Sequence, residues 1–191
     1  MKPNYDLELL KLIDNLDYTP KILLHSCCGP CSSYVISNLS DYFDITVVYY
    51  NPNIEPVEEY NLRKSEQIKL LKSIKTKNKL DFIDSDYDNN LYHEFISGLE
   101  SEREGGKRCS KCFYLRLQYT AKLAKSMGYD YFGTTLTVSP YKNACIINNI
   151  GNRLEHLYNI KWLISDFKKR DGYKKSIILS KEYNLYRQHY C

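Results

Sequence analysis

Lys21-Ile22-Leu23-Leu24-His25 is an apolar run of strand length, and it ends on Cys27-Cys28-Gly29-Pro30-Cys31. This junction constrains the fold more than any other feature, because three sulfurs in five residues need a purpose. Packing does not supply one: a core seldom needs so many thiols together, and loops avoid exposed free thiols because thiolates react. A second group, Arg108-Cys109-Ser110-Lys111-Cys112, brings five of the seven cysteines into two short segments. Soft thiolates gathered at two points recruit zinc or iron–sulfur clusters, so separate loops must meet.

The rest of the chain shows how they can. Ser32–Leu39 reads as a helix, and Asp44–Tyr50, rich in β-branched and aromatic residues and closed by Asn51-Pro52, as a strand. Glu58–Lys75 has helical spacing, with Leu62, Ile68, Leu71 and Ile74 as its apolar stripe. Leu80–Asp84 is a third strand, Leu91–Gly98 a short helix, and Glu104-Gly105-Gly106 a break. A long helix from about Lys111 to Met127 is capped by Gly128. Strand Tyr131–Leu136, helix Asn143–Tyr158 with a kink expected at Gly151, strand Trp162–Ile164 and helix Tyr173–Glu182 complete the alternation. Such alternation implies an α/β fold: a parallel sheet with helices on both faces and the site at the carboxyl ends of the strands. Both cysteine groups then belong to that edge. Cys27–Cys31 follows the first strand, and Cys109 and Cys112, three apart at the start of the long helix, share a face where the helix N-terminus favours thiolate. Cys145, inside an apolar helical stretch, reads as a buried structural thiol.

At 191 residues the chain suits one α/β domain, with 161–191 as a basic C-terminal segment. That segment holds eight basic side chains against Asp166, Asp171 and Glu182, a net +5, so the remaining residues sum to −1. With Tyr173, Tyr183, Tyr186 and Tyr190 interleaved it could grip phosphates and stack on bases, or form a solvated helix face. There is no signal-peptide pattern at Met1 and no long apolar run, which argues for a cytoplasmic protein and against a membrane partner. In a reducing compartment, close cysteines point to metal or redox work rather than disulfides. A lone C-x-x-C would favour structural zinc; the adjacent pair Cys27-Cys28 departs from the usual zinc spacing.

Five blocks in one order carry a resemblance. They are His25–Cys31, Asn51-Pro52-Asn53-Ile54, Arg108–Phe113, Thr134–Lys142 and Arg170–Ser176, and the ending Leu185–Cys191 fits as well. From about Lys21 to Cys191 the chain resembles the QueH family of epoxyqueuosine reductases. The resemblance implies a Rossmann-like domain, related to nucleotide-α-hydrolase folds, that holds a [4Fe-4S] cluster. It implies reduction of the epoxide of epoxyqueuosine at the tRNA wobble position, giving queuosine. The tRNA anticodon arm and an unidentified electron donor are then the partners.

Carried over by position, the cluster ligands are Cys27, Cys28, Cys109 and Cys112. Cys31 stands where some relatives have an Asp that holds a second, mononuclear iron. Cys191 stands where the family has the first member of a terminal redox-active pair. Protons could come from Tyr141, His25 or bound water, although a histidine at a strand end is more often a packing residue. Two other classes remain open from the residues themselves. A PP-loop thiolating enzyme would show Ser-Gly-Gly-x-Asp-Ser after the first strand, where this chain has Cys28-Gly29-Pro30-Cys31-Ser32-Ser33. A zinc-stabilised RNA-binding domain would be colourless, whereas an iron–sulfur protein is brown.

Overall fold

A computed structural model describes residues 3–188 and 190. The chain order is α1 (Tyr5–Asp14), β1 (Lys21–His25), α2 (Gly29–Leu39), β2 (Asp44–Tyr49), α3 (Val57–Ser73), β3 (Leu80–Asp84) and α4 (Asn89–Ile96). There follow α5 (Lys107–Ser126), β4 (Tyr131–Thr134), a 3-10 turn (Leu136–Val138), α6 (Ala144–Tyr158), β5 (Lys161–Trp162) and α7 (Gly172–Glu182). All strand pairs are parallel, and the sheet order is β3-β2-β1-β4-β5, the Rossmann-like arrangement expected.

In such a sheet the strand order reverses between β1 and β4, and ligands bind just beyond the carboxyl ends of the strands at that point. β1 is locked there from both sides. Past its last residue, Ser26 N–H donates to Val48 O (3.0 Å) and Thr135 N–H donates to His25 O (2.9 Å).

Residues of β1 alternate between two cores, as strand geometry requires. Ile22 and Leu24 pack with Leu9, Val35, Ile36, Leu39 and Leu70, so α1, α2 and α3 cover one face. Leu23 packs with Phe113, Leu117, Ala121, Ile147 and Leu154, so α5 and α6 cover the other. Because both faces are covered, the central strands are buried along almost their whole length instead of alternating.

Several boundaries differ from the sequence reading for local reasons. The alternation read from sequence starts at Lys21 and leaves out α1, which Asn4 caps by accepting from Leu7 N–H (3.2 Å) while Leu9 enters the core. α5 begins at Lys107, so Cys109 and Cys112 both lie within its first turns. β4 stops at Thr134, whose hydroxyl accepts from Leu136 N–H (3.2 Å) and turns the chain. In α3 the buried side chains are Tyr60, Arg63, Gln67 and Leu70, whereas Leu62 is exposed. The inward face is thus offset from the stripe read in sequence, and it carries polar groups toward the site.

α6 runs unbroken through Gly151, where a kink was expected. Glycine serves close approach instead, since a Cβ there would lie 2.2 Å from the Trp162 indole. Gly151→Ala should lower the unfolding free energy by about 1–3 kcal/mol through overpacking, read as a lower urea midpoint at unchanged slope.

Candidate metal centre

The cysteine loop leaves the sheet directly after the last bond of the β1 ladder. Cys28 caps α2, Pro30 lies in its first turn, and Cys31 follows one residue later. Gly29 is needed because α3 crosses close by: a Cβ there would be 3.0 Å from Glu66 O. The result is compact. The sulfurs of Cys27, Cys28 and Cys31 all lie within 4.8 Å of one another, and Cys27 and Cys28 are 3.8 Å apart. Three sulfurs at this spacing can hold a metal ion.

Polar side chains clamp the loop from beneath. Ser26 Oγ and Ser32 Oγ both donate to Gln67 Oε1, at 2.6 and 2.8 Å. Asn51 Nδ2 donates to Ser26 O (2.8 Å) and Asn51 Oδ1 accepts from Arg116 Nη1 (3.4 Å). His25 is fully buried; its Nε2–H donates to Tyr50 O (3.1 Å) and its Nδ1 accepts from Thr134 Oγ1 (3.0 Å). Burial, then the nearby Arg116 charge, lowers its pKa to about 3, so the ring is neutral and acts as a brace.

The thiols share their protons unequally. Donation from Cys28 and Cys31 holds Cys27 well below the ordinary thiol range. The same pairing, followed by burial, pushes Cys28 up to about 12 and Cys31 well up. Positive charge surrounds them. Arg63, Arg116 and Lys142 line a cavity of about 30 Å³ together with Cys27 and Cys31. Arg116 is 1% exposed and also donates through Nε to Cys112 O (3.3 Å), while Arg63 pairs with Glu59 (2.7 Å).

Cys109 and Cys112 line a larger cavity of about 450 Å³, which adjoins the small one through Asn53, Arg116, Lys142 and Tyr190. Cys112 is buried, and Cys109 Sγ accepts from Gly105 N–H (3.2 Å) ahead of α5. These two thiols therefore face the same region from α5 but stand outside the tight group of three. Tyr186 and Tyr190 reach α3, Tyr186 N–H donating to Glu66 Oε2 (2.7 Å) and Arg63 Nη1 donating to Tyr190 O (3.3 Å). Gln188 and Tyr190 line the small cavity together with Cys27 and Cys31.

Cys191 lies outside the described residues. Cys145 is exposed and not a structural core thiol. The buried stripe of α6 is Ala144, Ile147, Asn148, Gly151 and Leu154, and Cys145 falls beside it. Arg63, Gln67 and Arg116 are the participants that sequence reasoning missed. The one available signal was polar residues at core spacing along otherwise amphipathic helices.

The family model for epoxyqueuosine reductase QueH matches residues 22–191. The chain belongs to the epoxyqueuosine reductase QueH family. It is 44% identical to the epoxyqueuosine reductase QueH of Staphylococcus epidermidis, over 100% of this chain and 83% of that protein. For the Streptococcus pyogenes protein of the same name the identity is 43%, over 100% and 76%. With the Thermotoga maritima protein it is 32%, over 89% and 86%. The QueH family is one of oxidoreductases, as its name states. Among solved structures, a predicted subunit of tRNA methyltransferase from Methanocaldococcus jannaschii shares the fold, with a TM-score of 0.52 and 18% identity over 84% of this chain and 74% of that one. No helix among the described residues is long and apolar enough to cross a membrane.

The Asn51 clamp gives a test of how the loop is held. Asn51→Ala leaves the Ser26 carbonyl without its donor, at a cost of about 1–3 kcal/mol. Urea unfolding should show that loss, and the variant should retain less metal per chain than the wild type.

Proposed function

We propose that this protein is an epoxyqueuosine reductase that acts on tRNA in the cytoplasm, using a [4Fe-4S] cluster held by Cys27, Cys28, Cys109 and Cys112. The observation that carries the reading is the close group of Cys27, Cys28 and Cys31 at the switch point of a QueH-family sheet. The donor set suits the cofactor. Thiolates from two helix N-termini border adjoining cavities, and the buried charges of Arg63 and Arg116 with Lys142 offset the negative charge that thiolate ligation brings. Cys31 is left over as a ligand for an additional mononuclear iron, and Cys191 as a redox thiol. Bound there, these groups supply electrons one at a time and Lewis acidity toward an oxygen.

The remaining work falls to the chain itself. Removing the epoxide oxygen takes two electrons and two protons, breaks both C–O bonds, forms the C=C bond and releases water. The 450 Å³ cavity has the size of a small-ligand site and suits a modified base swung out of its strand. Phe113 and Tyr92 give it apolar walls, and Arg116 and Lys142 put positive charge where oxygen becomes anionic. His25, braced on both ring nitrogens, orients the loop and is not the proton source. The loop after β1 carries thiols where a nucleotide-binding fold carries glycines, so the reaction is expected to proceed without ATP.

Anaerobic purification should give brown protein containing iron and sulfide, with absorbance near about 400 nm. With a chemical reductant, it should convert epoxyqueuosine-containing tRNA to a product lighter by one oxygen in mass spectrometry. Ser in place of Cys27, Cys28, Cys109 or Cys112 should remove most of the iron. Activity should fall beyond the roughly 10- to 100-fold that loss of an outer-shell partner costs. Full turnover by zinc-loaded, iron-free protein would overturn the assignment, as would iron retained in all four variants.

A further inference from the structure

Tyr141 is 77% exposed, yet its loop is firmly held. Its N–H donates to Ser139 Oγ (3.3 Å), Lys142 N–H donates to Ser139 O (3.3 Å), and Asn143 Oδ1 caps α6 by accepting from Cys145 N–H (2.9 Å). An exposed aromatic ring thus stands on a backbone held at the point where the 450 Å³ cavity meets a second one of about 320 Å³ that opens beside Cys28 and Cys31. Tyr141 lines both, and so does Lys142. Arg108 lines the larger cavity and Arg187 the other. These two guanidinium groups bond to the Glu100 carbonyl (2.7 Å) and the Ser180 hydroxyl (3.2 Å), and among the described residues neither is in an ion pair.

The basic segment 161–191 is less available as a whole. Lys168 pairs with Asp166, Arg170 with Asp6 (3.0 Å) and Lys174 with Asp171 (3.4 Å). Lys161 sits over Tyr131 at the amino end of the sheet, away from the thiols. Part of the charge counted along the sequence is thus engaged within the chain or on the wrong side. Near the thiols, Arg108 borders one cavity and Arg187 the other, and the exposed Tyr141 ring borders both.

We propose that Tyr141 is a stacking platform for an RNA strand that crosses the site between Arg108 and Arg187. The ring supports the base next to the one that enters the 450 Å³ cavity. This rests on the functional reading above and assigns it a binding surface. An exposed aromatic ring between cations is how single strands are held, since bases stack on the ring while phosphates meet the charges. Glu104, which lines both cavities, repels phosphate from the middle and leaves that place to a base. Arg108 and Arg187 take the phosphates on either side.

The test is binding of fluorescently labelled tRNA carrying epoxyqueuosine, measured by anisotropy over a salt series. Tyr141→Ala should weaken binding about five- to a hundred-fold, and Tyr141→Phe should bind as the wild type because stacking needs the ring and not the hydroxyl. Arg108→Ala and Arg187→Ala should each lower the slope of log K against log salt by about 0.7, whereas Tyr141→Ala leaves the slope unchanged. Lys174→Ala, already paired internally, should change neither. Wild-type affinity in Tyr141→Ala, or equal loss in Tyr141→Phe and Tyr141→Ala, would overturn the platform while leaving the reductase reading intact. A wild-type protein that neither binds nor converts this tRNA would overturn both.

Discussion

The site depends on the two-sided pairing of β1. Its backbone bonds to β2 on one side and to β4 on the other, and both ladders continue past His25 through Ser26 and Thr135. A loop leaving a strand fixed in this way starts from a defined point in a defined direction. Cys27, Cys28 and Cys31 inherit that definition, and the helix that Cys28 caps continues it. Were β1 an edge strand, the same three thiols would hang from a movable end.

Around this fixed point the chain places buried polar groups that would be costly in an ordinary core. Gln67, Asn51, His25 and Arg116 are each less than 2% exposed. Each has partners: Gln67 accepts from two serine hydroxyls, Asn51 links the Ser26 carbonyl to Arg116, and His25 bonds through both nitrogens. These bonds favour one geometry, because breaking any of them leaves a further donor or acceptor unpaired in a medium of low dielectric, where Gln67 Nε2 is already without a partner. The cations add a second role. Thiolates removed from water need positive charge nearby, and Arg63, Arg116 and Lys142 supply it around Cys27 and Cys31.

Access divides between two openings. On the α5 side the 450 Å³ cavity reaches Cys109 and Cys112; on the α7 side the second cavity reaches Cys28 and Cys31. Lys142 and Tyr190 border both and also the small space between them. Gln188 and Tyr190, in the segment that bonds to Arg63 and Glu66 of α3, are therefore part of the site wall. Substrate entry and the position of this terminal segment are coupled by geometry.

Much of this was legible in the sequence. Strand–helix alternation from Lys21 onward, the placing of the first cysteine group after β1 and the family resemblance all follow from local pattern and motif order, which need no tertiary information. The helix α1 precedes the first strand and so lies outside a strand–helix alternation that begins at Lys21. The inward offset of α3 escaped because Arg63 and Gln67 look like solvent residues until α2 and the thiol loop are packed against them. Cys145 looked buried for the complementary reason: an apolar stretch does not say which side of the helix meets the core. Local sequence determined which elements form and which residues carry thiols, since backbone propensity and side-chain period act within a few residues. The packing of α2, α3 and α5 against one strand end decided which polar groups face those thiols and which of the chain's cations remain unpaired, because burial and ion pairing join residues far apart in sequence.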